Sequence, residues 1–276
     1  LNKLSFKYMD RILLNWKKNN VKTIDDSRKI REKFNKPKMT HTVKTVPKFD
    51  WLNGRTLMVS KKKALEMIDV IANMFPDAEC ELKHDNPFEL TIAVLLSAQC
   101  TDVLVNRVTT ELFKKYKTPE DYLAVSDEEL MNDIRSIGLY RNKAKNIKKL
   151  CQSLIDQFNG EIPQTHKELE SLAGVGRKTA NVVMSVAFDE PSLAVDTHVE
   201  RVSKRLGINR WKDNVRQVED RLCSVIPRDR WNRSHHQLIF FGRYHCLARK
   251  PKCDICPLLE DCREGQKRYK ASLKEA

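Results

Sequence analysis

Nowhere in the 276 residues do eighteen apolar positions run together, so no segment reads as a membrane-spanning helix. The stretch from Leu1 to Leu14 lacks the unbroken apolar centre of an export signal, because Lys3, Lys7, Asp10 and Arg11 interrupt it. The expectation is a soluble, unexported protein. Strict apolar–polar alternation, the mark of a half-buried strand, is missing throughout. After residue 60 there is neither an internal repeat nor a low-complexity tract, which excludes a solenoid or array. The eight cysteines do not form a disulfide framework either, since that device belongs to small secreted scaffolds.

What is present is 41% hydrophobic residues, enough for a sizeable core, and a net charge of +14. The charge points to a polyanionic partner, nucleic acid before acidic lipid. Fifteen Lys/Arg against five Asp/Glu place +10 of it in residues 1–57, leaving +4 for residues 58–276. Basicity therefore says little about the main domain. Residues 31–57 have few periodic apolar positions and contain Pro37, Pro47 and Gly54, as a linker does. Residues 6–30 have room for one or two short helices.

From residue 61 onward the apolar period is helical. Ala64, Met67, Ile68, Ile71, Met74 and Phe75 form one face of a first helix, which Pro76 ends. Asn86-Pro87 opens a segment, Phe88 to Ala98, that is apolar nearly all round and hence central to the core. Ser126 with Glu129, and Thr165 with Glu168, have capping-box spacing at two helix starts. Ala144, Ile147, Leu150, Cys151, Leu154, Ile155 and Phe158 define another amphipathic helix, stopped by Asn159-Gly160. The fold class is all-α.

Three segments carry chemistry. Leu172-Ala173-Gly174-Val175-Gly176-Arg177-Lys178-Thr179-Ala180 joins two helices spanning 165–188, and its glycines let backbone amides approach a phosphate closely, although a tight structural turn uses the same residues. Lys178 stands in the first turn of the second helix, where the dipole disfavours a cation and lowers an amine's pKa; it is either a Schiff-base nucleophile or a phosphate-binding lysine. Asp196, in Val195-Asp196-Thr197-His198, opens another helix as an N-cap or as a carboxylate serving the reaction. Cys246, Cys253, Cys256 and Cys262 crowd into seventeen residues with the spacing Cys-x6-Cys-x2-Cys-x5-Cys, a set that closes a zinc site or holds a [4Fe–4S] cube. Arg249, Lys250 and Lys252 in the first loop are placed to meet phosphate oxygens. The dispersed Cys80, Cys100, Cys151 and Cys223 read as small buried hydrophobes.

From about residue 58 to about 268 the chain resembles the endonuclease III family of the helix–hairpin–helix glycosylase superfamily. The resemblance rests on Ser97-Ala98-Gln99-Cys100-Thr101-Asp102, Ile137-Gly138-Leu139-Tyr140, the Gly174 to Ala180 hairpin, Val195 to His198 and the four-Cys spacing. It implies two helical lobes, one from a continuous central stretch and one uniting the first main helix with the C-terminal helices and cluster loop 246–262, with double-stranded damaged DNA between them. It implies a bifunctional glycosylase and abasic-site lyase of base excision repair, releasing oxidised pyrimidines and cleaving 3′ to the abasic site by β-elimination.

By matched position, Lys178 is the nucleophile and Asp196 its partner. Gln99 and Leu139 enter the duplex. The hairpin residues Gly174, Val175, Gly176 and Arg177, with His198, Arg249, Lys250 and Lys252, contact DNA. The four cysteines ligate one [4Fe–4S] cluster per chain, which decides against zinc. The implied protein is a monomer of the cytoplasm, associated with the nucleoid and not with membrane. Ala173 departs from the Pro common before Gly-Val-Gly, which implies a slightly less rigid hairpin.

A second, shorter resemblance covers Tyr8-Met9-Asp10-Arg11-Ile12-Leu13-Leu14-Asn15-Trp16 and continues to Val21-Lys22-Thr23, similar to the C-terminal motif of the primosome protein DnaD family. Residues 1–57 are thus expected to be an appendage to an enzyme of residues 58–276, either a fused tail or an upstream reading frame joined to it.

Overall fold

In the computed structural model, residues 58–275 are described. The DnaD-like stretch and the linker lie outside the described residues. Helix α1, Lys61–Met74, starts where Ser60 Oγ accepts the Lys63 amide and buries Ala64, Met67, Ile68 and Ile71. These positions lie three and four apart, so one stripe faces inward. Helix α2, Pro87–Ser97, follows Asn86, whose side chain accepts the Glu89 amide while Pro87 takes the first helical position. Eight consecutive residues of α2, Glu89 to Leu96, are buried, as an apolar surface on all sides requires.

Helix α3, Asp102–Lys115, packs on α2, while α4, Pro119–Ala124, and α5, Asp127–Asp133, pack on the long α6, Tyr140–Phe158. Asn159 in the left-handed region, with the Gly160 amide on Leu154 O at 2.9 Å, closes α6. The hairpin helices are α7, His166–Ser171, and α8, Arg177–Ala187. Then come α9, Thr197–Arg205, α10, Val215–Val225, α11, Trp231–Phe240, and α12, Arg263–Glu275. A π-helical turn, Phe241–His245, continues α11 toward Cys246.

The capping boxes fall elsewhere than expected. Ser126 and Thr165 each accept the amide three residues on, but the reciprocal bond does not form. At Thr165 the Glu168 carboxylate accepts the threonine hydroxyl itself at 2.7 Å and so turns away from the backbone. Complete boxes form at Thr118–Asp121 and Asn214–Gln217, where a shorter acid and an amide serve.

Burial divides into two cores. The first gathers α2 to α8, with Leu90, Leu96, Tyr122, Ile147, Leu169 and Val183 inside. The second joins α1 to the C-terminal helices through Ile68, Ile71, Val199, Leu222, Leu238 and Phe241. The two-lobed all-α architecture is thus borne out. Among the described residues there is no strand, and no helix is long and apolar enough to cross a membrane.

Among the polar contacts that cross between the lobes are two built on arginines. Arg177, opening α8, bonds Glu219 of α10 through Nε and Nη2. Arg243, in the π-helical turn, bonds Asp102 Oδ2 at 2.7 Å and also pairs with Glu81, which Tyr244 Oη reaches at 2.5 Å.

Candidate active site and cluster site

Lys178 and Asp196 stand where the two cores meet. Lys178 sits on α8, whose inner face belongs to the first core; Asp196 caps α9, whose Val199 and Val202 belong to the second. The Lys178 side chain is exposed, and Nζ makes no hydrogen bond or ion pair among the described residues. One turn further along α8, Asn181 is buried and donates to Leu193 O at 3.0 Å. His166 braces Asn181 Oδ1 at 3.0 Å and meets Ser192 Oγ at 3.3 Å. The segment delivering Asp196 is therefore bolted to the helix that carries Lys178.

Asp196 is an N-cap, and the cap leaves room for chemistry. Its Oδ1 accepts both the His198 and the Val199 amide at 2.8 Å. Both bonds fall on one oxygen, so Oδ2 has no protein donor. His198 is half-buried, with Nδ1 3.3 Å from Arg201 Nη2. Burial is the largest cause holding its pKa below the usual histidine value; Asp196 opposes this, while Arg201 and Arg243 add to it. At neutral pH its imidazole is uncharged.

The hairpin explains its own glycines differently. Gly174 has φ +82, and a Cβ there would come within 3.0 Å of both Asn146 Nδ2 and Leu95 Cδ1. Its need for glycine is internal. Gly176 caps α8 with no side-chain hydrogen bond, and a Cβ there would meet nothing within 4 Å. The first amides of α8 are thus uncapped and open to an anion. Ala173 in place of Pro leaves the turn closed, since the Val175 amide reaches Leu172 O at 3.1 Å. Arg177, expected at DNA, has its guanidinium engaged by Glu219.

Gln99 and Leu139, both exposed, project from separate turns whose backbones are left-handed, with φ 55 and φ 61. Arg249, Lys250 and Lys252 are exposed on one loop. Arg205, only 6% exposed, holds that loop from beneath through Leu247 O at 2.6 Å and Ala248 O at 2.9 Å.

Cys246, Cys253, Cys256 and Cys262 line one recess of about 370 Å³, counted to its open mouth, with Arg205, Phe241, Leu259 and Arg268. All four are unpaired thiols. Burial first, and then their mutual proximity, push the Cys253, Cys256 and Cys262 thiols up, Cys262 to about 11. Such a set binds its protons until a metal centre displaces them. Among the described residues no three Cys, His, Asp or Glu side chains converge as ligands of a single ion. Four thiols lining one recess are a donor set that fits an iron–sulfur cluster.

The comparisons agree with this geometry. Residues 92–228 match the model of the HhH-GPD superfamily base excision DNA repair protein, and residues 246–262 match the iron-sulfur binding domain of endonuclease III. Endonuclease III of Bacillus subtilis (strain 168) is 64% identical over 216 residues, which are 78% of this chain and 99% of that protein. The chain belongs to the endonuclease III family. It is a base-excision-repair DNA glycosylase and abasic-site lyase, and its cofactor is a [4Fe–4S] cluster.

Endonuclease III of Escherichia coli (strain K12) is 46% identical over 209 residues, 76% of this chain and 99% of that one. A solved structure described as a trapped endonuclease III–DNA covalent intermediate, an estranged-adenine complex, superposes with TM-score 0.76 at 64% identity, covering 77% of this chain and all of that one. Residues 1–31 match a separate model, replication initiation and membrane attachment, in keeping with the DnaD-like reading of that stretch.

Sequence reasoning missed several residues at the site. His235 is fully buried beneath it with neither ring nitrogen partnered, and Lys178 is among the charges that hold it neutral. Lys143, Glu219 and Arg243 carry no local sequence motif. Only their burial and long-range partners reveal them.

Proposed function

We propose that the enzyme bends double-stranded DNA across the junction of its two lobes, extrudes an oxidised or ring-saturated pyrimidine, and removes it with Lys178 as nucleophile. Lost aromaticity weakens stacking, so such bases cost least to extrude. The Lys178 amine attacks C1′ with its lone pair, the glycosidic bond breaks, and the base departs with its electron pair. Ring opening gives a Schiff base between Nζ and C1′, which acidifies the 2′ proton. Loss of that proton expels the 3′ phosphate by β-elimination, and water then frees the amine.

The observation that carries this reading is the Lys178 amine itself, exposed and without a protein partner at an uncapped helix start, with Asp196, whose Oδ2 is open, capping the next helix. That oxygen takes the amine's proton or balances positive charge on the sugar, while Oδ1 keeps the carboxylate anchored. Gln99 and Leu139 fill the space left by the extruded nucleotide. The amides of Gly174, Val175, Gly176 and Arg177, together with His198, Arg249, Lys250 and Lys252, hold phosphates. Cys246, Cys253, Cys256 and Cys262 ligate the cluster, which keeps the basic loop rigid. The enzyme acts as a monomer in the cytoplasm, at the nucleoid.

Borohydride trapping on abasic-site DNA is the test. Lys178→Gln abolishes both the trapped adduct and strand cleavage with the fold intact. Asp196→Asn keeps the amide-accepting cap yet lowers base release by orders of magnitude. An adduct formed by Lys178→Gln at the wild-type rate would assign the nucleophile elsewhere, and a loss of only a few-fold in Asp196→Asn would reduce that residue to a cap.

A further inference from the structure

Gln99 and Leu139 belong to turns forty residues apart, yet both are held in the left-handed backbone region that L-residues avoid. Leu139 is moreover an N-cap with no side chain able to cap, and it is 56% exposed. Neither turn is stabilised by its own residue types. Something outside each must impose the conformation.

One residue touches both, its backbone amide at the Leu139 turn and its side chain at the Gln99 turn. Lys143 lies one turn into α6, and its amide closes on Leu139 O at 3.1 Å. Its ammonium runs back under the first lobe to Leu96 O at 2.9 Å and Ala98 O at 2.7 Å, the carbonyls that end α2 and immediately precede Gln99. The two turns also meet directly: a Cβ built on Gly138 comes within 3.9 Å of Gln99 O.

Lys143 is 5% exposed and has no carboxylate partner among its contacts. Burial drives its pKa down, against a smaller opposing effect of Cys100. A buried ammonium without a counter-ion is a costly way to cap a helix, since a neutral donor satisfies the same carbonyls. What a long cationic side chain adds is reach, from the root of the Leu139 turn to the root of the Gln99 turn. The negative end of the α2 dipole favours it there.

We propose that Lys143 is a positioning residue that locks Gln99 and Leu139 into a single preformed wedge. This rests on the reading that those two residues enter the duplex. With the wedge built before DNA arrives, no ordering of the two turns is needed at extrusion. Lys143 touches neither substrate nor the reacting atoms; its effect passes entirely through the wedge.

The test uses full-length holoenzyme and thymine-glycol duplex with 2-aminopurine opposite the lesion, whose fluorescence rises when the wedge unstacks it. In Lys143→Met, single-turnover base release should fall about tenfold or more, because small misplacements of such groups cost rates of that order. The 2-aminopurine signal should fall toward that of Gln99→Ala and Leu139→Ala, while affinity for undamaged duplex stays at the wild-type value. Lys143→Gln, which keeps a neutral donor, is read beside it, each variant at a temperature where its circular dichroism and cluster absorbance match wild type. In a Gln99→Ala/Leu139→Ala background, Lys143→Met should have no further effect on rate. An undiminished loss in that background would make Lys143 merely structural and overturn the proposal. Wild-type rate and fluorescence in both Lys143 variants, with the wedge variants impaired, would also overturn it and leave the wedge reading standing. Unchanged fluorescence in Gln99→Ala and Leu139→Ala would remove the wedge reading and this proposal together.

Discussion

Arg177 and Glu219 form a two-pronged ion pair, with Nη2–Oε1 at 2.6 Å and Nε–Oε2 at 3.0 Å, one residue from the proposed nucleophile. It joins the hairpin of one lobe to α10 of the other, with Glu170 and Arg216 at its margin. The Glu219 side chain is 11% exposed, so it is Glu219 that suffers when the pair is broken.

Arg177→Met should therefore destabilise the protein by about 1–3 kcal/mol, the cost of a largely buried carboxylate left with only the more distant Arg216. Arg177→Met/Glu219→Leu should recover much of that stability. Denaturant titration of the four species gives the coupling, and additive losses would show that the pair does not hold the lobes.

The two hairpin glycines should separate stability from binding. Gly174→Ala forces a positive φ and a contact with Asn146 and Leu95, and should cost about 1–3 kcal/mol in denaturant titration. Gly176→Ala meets nothing in the protein, so stability should shift by no more than about 0.5 kcal/mol. Affinity for abasic-site DNA, measured by fluorescence anisotropy, should nonetheless fall, because a methyl group then stands between phosphate and amides.

The division between what the sequence disclosed and what it concealed follows from range. Caps, helix faces and the hairpin depend on residues within a few positions of one another, and Asn86-Pro87, Asn159-Gly160 and Gly174 behave as their local chemistry requires. Asp196 was legible as a cap or as a catalytic group; the structure shows the cap, made by one oxygen, and leaves the other open. Lys143 and Arg243 were illegible because their meaning lies in partners 45 and more residues away. The capping boxes were misplaced because Glu168 had a nearer partner in the Thr165 hydroxyl and Glu129 accepts the Tyr116 hydroxyl instead.

Arg205 supplies a prediction about the cofactor. It donates to Leu247 O and Ala248 O and approaches Cys246 Sγ at 3.4 Å from a buried position. Purified protein should contain about four iron per chain, with broad absorbance at the blue end of the visible range. Arg205→Met should bleach faster in air, since outer contacts to ligands govern how firmly a metal centre is held. Stoichiometric zinc without iron in anaerobically prepared protein would contradict the assignment.

Stability should fall on the acid side of neutrality. Burial, and then the nearby His236 and Lys178, hold His235 well below its usual value of 6.5. The unfolded chain takes up a proton there as pH drops through 6.5 while the folded chain does not, so each further unit costs up to about 1.4 kcal/mol for this imidazole until its folded pKa is reached. His236 and His198, also depressed, add to the slope. In His235→Phe the pH dependence of the denaturation midpoint between pH 7 and 5 should flatten; an unchanged slope would mean that His235 does not contribute it.

The second core sets an order of assembly. Its first helix, α1, ends at Met74, but its packing partners run from Leu193 to Cys262. On the ribosome, the central lobe has all of its own residues long before α1 has a surface to rest on, and domains with complete cores fold as units during synthesis. Helix α1 must therefore wait as a loose amphipathic segment while about 120 residues condense between it and its destination, a closure whose entropic cost rises only slowly with length. The four thiols emerge at the very end of that interval. Maturation of the metal centre and docking of the earliest helix therefore both fall late, so a shortage of iron should expose a protein in which the proposed nucleophile Lys178 lies in a folded half and Asp196 does not.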